Sequence, residues 1–176
     1  MQYFKNRTQA GILLAGQMGE LKTENTIVLA LSEPAVFVAA EIARYLHSNL
    51  YLLATEDINI PDDPAPIAAM STRGITYGTH LTSGQLEDIK NDYHAVLDQR
   101  SIEAFHKINR IIGKDGAISR ELLKRHVIIL VSDGLGNGLS LEVAADFLKP
   151  IKAAKIITAT PIASIPATDR MHLLSD

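Results

Sequence analysis

Five aliphatic residues in a row, Val127-Ile-Ile-Leu-Val131, begin the most constraining stretch of this 176-residue chain. Such a run reads as a strand buried on both faces, the kind found inside a parallel sheet. Ser132-Asp-Gly-Leu-Gly-Asn-Gly-Leu-Ser140 follows at once, and Leu141 to Leu148 then has helical spacing. Strand, glycine-rich turn and helix together aim backbone N–H groups and a positive helix end at an anion, usually a phosphate. Gly134, Gly136 and Gly138 are expected to allow positive φ and bring bare backbone close to a ligand. Ser140 is expected to cap the helix and offer a hydroxyl. No Lys precedes Ser140, so this is not a Walker A loop. The Gly-x-Gly-x-Gly spacing, with no acidic residue about 20 positions on, is not a dinucleotide fingerprint either. The same residues would also serve a tight strand-to-helix connection whose glycines answer to geometry alone.

Around this stretch the chain alternates. Apolar positions across 3–18 recur at helical intervals. Residues 26–31 make a buried strand, and 36–46 an apolar helix with Ser32 as N-cap and Pro34 in its first turn. Residues 50–54 make a second strand. A polar, proline-rich loop from Asp57 to Pro66 leaves the sheet, and Ile67 to Leu81 reads as a hairpin or an irregular flap. One long helix is expected from Ser83 to about Ile112, its apolar side serving as core or as a dimer contact, with Gly113 ending it. Asp115 to Arg125 is a connection with a short turn near Leu122, and a last parallel strand spans 155–161. The expected fold is α/β: an open parallel sheet with helices on both faces and a small flap over 57–82, all in one domain spanning 1–176. Its ligand crevice lies at the carboxyl ends of the strands.

Composition narrows the function classes. With 47% apolar residues the chain can bury a sizeable core. A net charge of −3 and no basic stripe give no footprint for nucleic acid or for an anionic membrane surface. No cysteine is present, which excludes disulfides, thiolate zinc sites and thiol catalysis. No signal peptide or long apolar run stands out, so the expectation is a cytoplasmic protein. The six histidines form no i, i+4 pair, and Asp62-Asp63 sits among prolines as a solvated loop. Arg73 and His80, in the flap, are expected at the surface rather than over a ligand.

With those residues in place, the chain resembles the type I phosphoribosyltransferases, and more closely a bacterial group of predicted phosphoribosyltransferases. Tyr3-Phe-Lys-Asn-Arg-Thr-Gln-Ala-Gly11 is similar to the group's Phe-x-x-Arg-x-x-Ala-Gly start. Ala30 to Ala43 resembles the strand, diphosphate loop and helix, and Ile67 to Gln85 the flap, or hood. Val127 to Ser140 resembles the phosphoribosyl-diphosphate motif: aliphatic strand, Asp-Asp-Gly, then a loop ending Thr-Gly-x-Thr. The resemblance implies that Asp133 handles the ribose hydroxyls and that the loop Gly134, Leu135, Gly136, Asn137, Gly138, Leu139 and Ser140 holds a 5′-phosphate. It implies magnesium carried with a phosphoribosyl ligand, a place in nucleotide metabolism as a glycosyltransferase, and a homodimer or other homo-oligomer.

Several positions depart from the pattern. Ser132 replaces the first acid, Asn137 the threonine, and Leu139 a small residue, so that Leu139 is expected to crowd the ligand. At the diphosphate loop the group shows Pro-Arg-Gly-Gly where this chain has Ser32-Glu33-Pro34-Ala35. Glu33 repels a diphosphate, and Pro34 removes a backbone donor. The expected function is therefore binding of a ribose 5-phosphate or nucleotide-type ligand, with ordinary phosphoribosyl transfer weak or lost. The alternative is a non-catalytic regulatory or assembly protein that acts through a protein partner.

Overall fold

The structure, a computed structural model, describes residues 4–61, 63, 65–113 and 118–175. Tyr3, Asp62 and Asp115, which carry parts of the sequence reading, lie outside the described residues. Four strands form a wholly parallel sheet: β1 (Thr26–Ala30), β2 (Asn49–Leu52), β6 (Val127–Val131) and β7 (Lys155–Ala159), in the order β2-β1-β6-β7. The register pairs Thr26 with Val127 and Ala30 with Val131, so β1 and β6 end level. Every residue of these two central strands is buried, as their unbroken apolar runs require.

Alternation along the strands builds two cores. Ile27, Leu29, Ile128 and Leu130 face one way, toward α6 (Leu139–Leu148) and α7 (Ile165–Leu174). Val28, Ala30, Ile129 and Val131 face the other, toward α1 (Arg7–Gly16) and α2 (Ala35–Leu46). Helices therefore cover both faces, as the period-2 pattern of a doubly covered sheet demands. α1 and α2 approach very closely. A Cβ at Gly11 would stand 2.7 Å from the Val38 carbonyl oxygen and 2.9 Å from Glu41 Cβ.

The flap contains the hairpin expected within 67–81 and adds a strand where only a loop was expected. It is a three-stranded antiparallel sheet of β3 (Glu56–Ile58), β4 (Ala68–Ser71) and β5 (Gly74–Tyr77). Strand β3 occupies the start of the stretch expected to be an irregular polar loop. Its inward residue Ile58 joins Ile67, Ala68 and Met70 in a separate core. That core is closed by α4 (His94–Ile112), which buries Leu97, Ala104 and Ile108.

The single long helix expected over 83–112 is two. α3 (Ser83–Asp92) starts with a capping box between Thr82 and Gln85 and buries none of its residues. The chain turns at Tyr93, at φ −115° and ψ 16°, outside helical geometry. The break lets Tyr93 and Leu97 reach the flap core, which α3 touches through Ile89 while keeping most of its surface in solvent. Gly113 ends α4 at φ 68°, as expected. A short α5 (Arg120–Leu123) leads into β6. α7, which follows the last strand, was not anticipated, although Ser164 caps it through Ala167 N and Pro166 sits in its first turn. No helix among the described residues is long and apolar enough to cross a membrane.

Candidate functional site

At the carboxyl ends of β1 and β6 the chain encloses a cleft of about 270 Å³. Its walls come from Leu31 and Ser32 after β1, Thr55 to Asp57 at the start of the flap, and the loop after β6. Asp133, Gly134, Leu135, Gly136, Asn137, Gly138 and Ser140 all line it. Leu139 does not. Its side chain is fully buried with Val143 and Ala69, tying α6 to the flap strand β4 rather than crowding the cleft.

The loop is fixed at several points. Ser132 Oγ donates to the Gly134 carbonyl at 2.9 Å and accepts from Gly134 N at 3.3 Å, a short turn closed by one hydroxyl. Leu135 N donates to Ile162 O, and Ser164 N returns a bond to Leu135 O, so the loop continues the parallel pairing beyond β7. Asn137 Oδ1 accepts from Leu139 N at 3.0 Å, while its Nδ2 is buried without a partner among the described residues.

Two expectations about this turn need correction. Of its three glycines only Gly138 has positive φ, at 75°. It is the N-cap residue of α6 and makes no side-chain cap, so Ser140 lies inside the first turn rather than capping it. Gly138 is also hemmed in: a Cβ there would meet Arg170 Cδ at 2.9 Å, whereas one on Gly134 or Gly136 would meet nothing within 4 Å. The N–H groups of Gly136, Asn137, Gly138 and Ser140 donate to no protein acceptor among the described residues. Unspent donors of this kind at a helix start are the usual means of holding an anion.

Charge in the cleft is mostly acidic. Asp133 Oδ2 accepts from Arg7 Nε at 2.9 Å, and Oδ1 accepts weakly from Ser32 Oγ at 3.4 Å. Arg7 is reached through α1. Ala10 and Gly11 are buried, which sets that helix against α2 and leaves Arg7, one turn earlier, over the loop. The Phe-x-x-Arg-x-x-Ala-Gly opening thus has a physical reading that the sequence alone did not supply, and Arg7 is a site residue it missed. Glu56 pairs with Lys107 of α4. Asp57 has no ion-pair partner among the described residues. Its carboxyl is raised above the ordinary value of 3.8, chiefly by desolvation and secondarily by Glu56. Glu33 is exposed and does not line the cleft, while Ser32 Oγ accepts from Ala35 N at 3.2 Å and closes the turn into α2.

Behind the loop lies a second polar cluster that sequence reading missed. Glu142 of α6, 5% exposed, accepts from Thr79 N at 2.9 Å, Thr79 Oγ1 at 2.8 Å and Arg170 Nε at 2.9 Å. Arg170, from α7, also donates to the Asn137 carbonyl and lies 3.2 Å from His80 Nδ1. Flap, loop and C-terminal helix therefore meet on one buried carboxylate. Its only sequence signal is a Glu on the apolar side of α6. Of the two flap residues weighed in the sequence, His80 belongs to this cluster. Arg73 lies elsewhere, 5.7 Å from the centre of the Phe147 ring. No group of three His, Asp or Glu side chains suited to a metal occurs among the described residues.

No family model matches the chain. It aligns over 170 residues, at 27% identity, with a Mycobacterium tuberculosis (H37Rv) protein described as a "Putative phosphoribosyl transferase". The alignment covers 92% of this chain but only 36% of the relative, so the chain spans little more than a third of that protein's length. Among solved structures, the Thermus thermophilus protein TT1426 superposes with a TM-score of 0.67 at 22% identity, covering 99% of this chain and 82% of that one. A purine phosphoribosyltransferase from Pyrococcus horikoshii superposes with a TM-score of 0.53 at 14% identity, covering 95% of this chain and 78% of that one. The fold is that of the type I phosphoribosyltransferases.

Proposed function

We propose, on the premise of that fold, that the loop from Gly134 to Ser140 binds the phosphate of a ribose 5-phosphate or nucleotide-type ligand, and that ordinary phosphoribosyl transfer is weak or lost. The observation that carries the reading is the set of four unspent N–H groups, on Gly136, Asn137, Gly138 and Ser140, opening on a cleft. Asn137 Nδ2 and the Ser140 hydroxyl are further donors beside them. Asp133, held by Arg7, is the acidic residue that would take the ribose hydroxyls of such a ligand in this reading.

The opposite wall has little for a leaving diphosphate. Ser32 faces the cleft, but the turn carries Glu33 and Pro34 in place of an arginine and a glycine. Stabilising charge that develops on the leaving group is usually the largest catalytic contribution, so its loss weakens transfer more than binding. Magnesium fits as a companion of the ligand rather than as a resident ion. It favours one or two carboxylates together with ligand phosphates, and Asp57 is a carboxylate on the cleft wall with no ion-pair partner among the described residues.

Calorimetric titration with ribose 5-phosphate tests the reading. Wild type binds at sub-millimolar concentration, on the order of 5 kcal/mol or more. Gly136→Val places its side chain in open space at the cleft, so it abolishes binding without loss of fold. Absence of binding by the wild type, or equal binding by the variant, removes the loop from consideration. Steady-state assays with phosphoribosyl diphosphate and common bases run well below about 1 s⁻¹, the low end for a working enzyme.

A further inference from the structure

The strongest feature left unused is a cavity on the α6 face of the sheet, with no lining residue in common with the loop cleft. It has two lobes of about 220 and 370 Å³, and Arg73, Arg120 and Phe147 line both. Arg73 comes from the β4–β5 turn, Arg120 from α5 and Phe147 from the end of α6. The guanidinium carbons lie 5.7 and 5.5 Å from the centre of the Phe147 ring. They are therefore no further apart than the sum of those distances.

Neither arginine has a carboxylate partner among the described residues. Asp146, the one carboxylate on the wall among the described residues, stands 4.0 Å from Lys149. Arg120 Nη2 donates to the Phe147 carbonyl at 3.3 Å, but its Nε–H is shut off from water and donates to nothing among the described residues. Two cations are thus held against one aromatic ring, each with donors to spare, and one of those donors is buried and unsatisfied. Guanidinium forks match phosphate and carboxylate oxygens, and a buried donor without an acceptor is costly until one arrives.

We propose that this cavity is a second ligand site, for a phosphate monoester with an apolar or aromatic body. The charge selects phosphate. A monoester carries about −1.5 to −2 at neutral pH and balances two guanidinium groups, which a monocarboxylate does not. The body follows from the smaller lobe, whose walls include Leu52, Leu53, Ile112 and Ile118 beside Phe147. The site touches the flap through Arg73 and α6 through Phe147, the two elements that also frame the loop cleft. Its occupant is thus placed to bias the flap from outside the cleft.

Phenyl phosphate is the probe, titrated calorimetrically into the wild type and three variants, with inorganic phosphate as a parallel arm. Gly136→Val, in which the loop is closed to phosphate, still binds it at one saturable site, which separates this site from the loop. Arg73→Gln weakens binding at least tenfold, and Arg120→Gln does the same. Because Arg120 is partly buried and its loss could disturb folding, the exposed Arg73 carries the decisive comparison. The Arg120 Nε–H resonance of the wild type shifts on saturation. Three results overturn the proposal: no saturable binding below roughly 10 mM, the weak limit of a specific site; equal affinity in Arg73→Gln; or loss of binding in Gly136→Val with none in Arg73→Gln. Inorganic phosphate binding as tightly as phenyl phosphate overturns the assignment of an apolar body.

Discussion

Glu142 holds three donors from two other elements while almost wholly shielded from water, and that makes each partner costly to remove. Breaking one half of a buried ion pair strands the other charge, at about 3–5 kcal/mol. Arg170→Met is therefore expected to lower the melting temperature by roughly 6–20 °C for a chain of this size. Glu142→Gln keeps the shape and some of the bonds and costs less. Thermal melts of the two single variants and the double variant check this: a double variant no worse than Arg170→Met shows the coupling. Asp57 has the opposite sign. Its folded carboxyl sits above its unfolded value, so ionising it costs stability at neutral pH, and that cost disappears as pH falls toward and below 3.8. Asp57→Asn is expected to raise the melting temperature at pH 7, by only about 1–2 °C because water reaches the group. The gain fades in melts at pH 3.5; a gain that persists there rules out relief of the charge as its cause.

At the scale of elements, the packing of α1 on α2 decides where Arg7 stands. Gly11→Ala forces a methyl group into the Val38 carbonyl and Glu41, and overpacking of this kind costs about 1–3 kcal/mol. It is expected to weaken ribose 5-phosphate binding as well, by loosening the Arg7–Asp133 pair; calorimetry on the variant at a temperature where it remains folded measures that. Elements were legible in the sequence where burial was one-sided or complete. β1 and β6 are buried at every position, and α2 has a wide apolar stripe, so their types and order could be read directly. The break at Tyr93 could not, because the apolar spacing runs through it and only the separate flap core explains the turn. β3 was hidden because its edge residues Glu56 and Asp57 are polar and a single residue, Ile58, points inward. In the site, the loop was legible because glycine spacing is local. Arg7 on Asp133 and Arg170 on Glu142 were not, since each joins residues far apart in the chain and no local pattern marks either pair.

For the whole molecule, the parallel sheet and the antiparallel flap have separate cores, joined through few side chains. Leu139 and Val143 meet Ala69, and Thr79 meets Glu142. The residues that make these joins stand on α6 within two turns of the phosphate-loop donors. Anything that steadies the start of α6 therefore steadies the hold on the flap, and free-energy linkage runs equally in both directions. Amide hydrogen exchange across Ala68–Tyr77 is expected to slow on saturation with ribose 5-phosphate, although no flap residue beyond Asp57 need touch the ligand. In Arg170→Met the same ligand leaves exchange in β4 and β5 nearly unchanged. The buried carboxylate then works as a clutch: while it is engaged, occupancy of the cleft is felt as protection in β4 and β5, strands that do not line it.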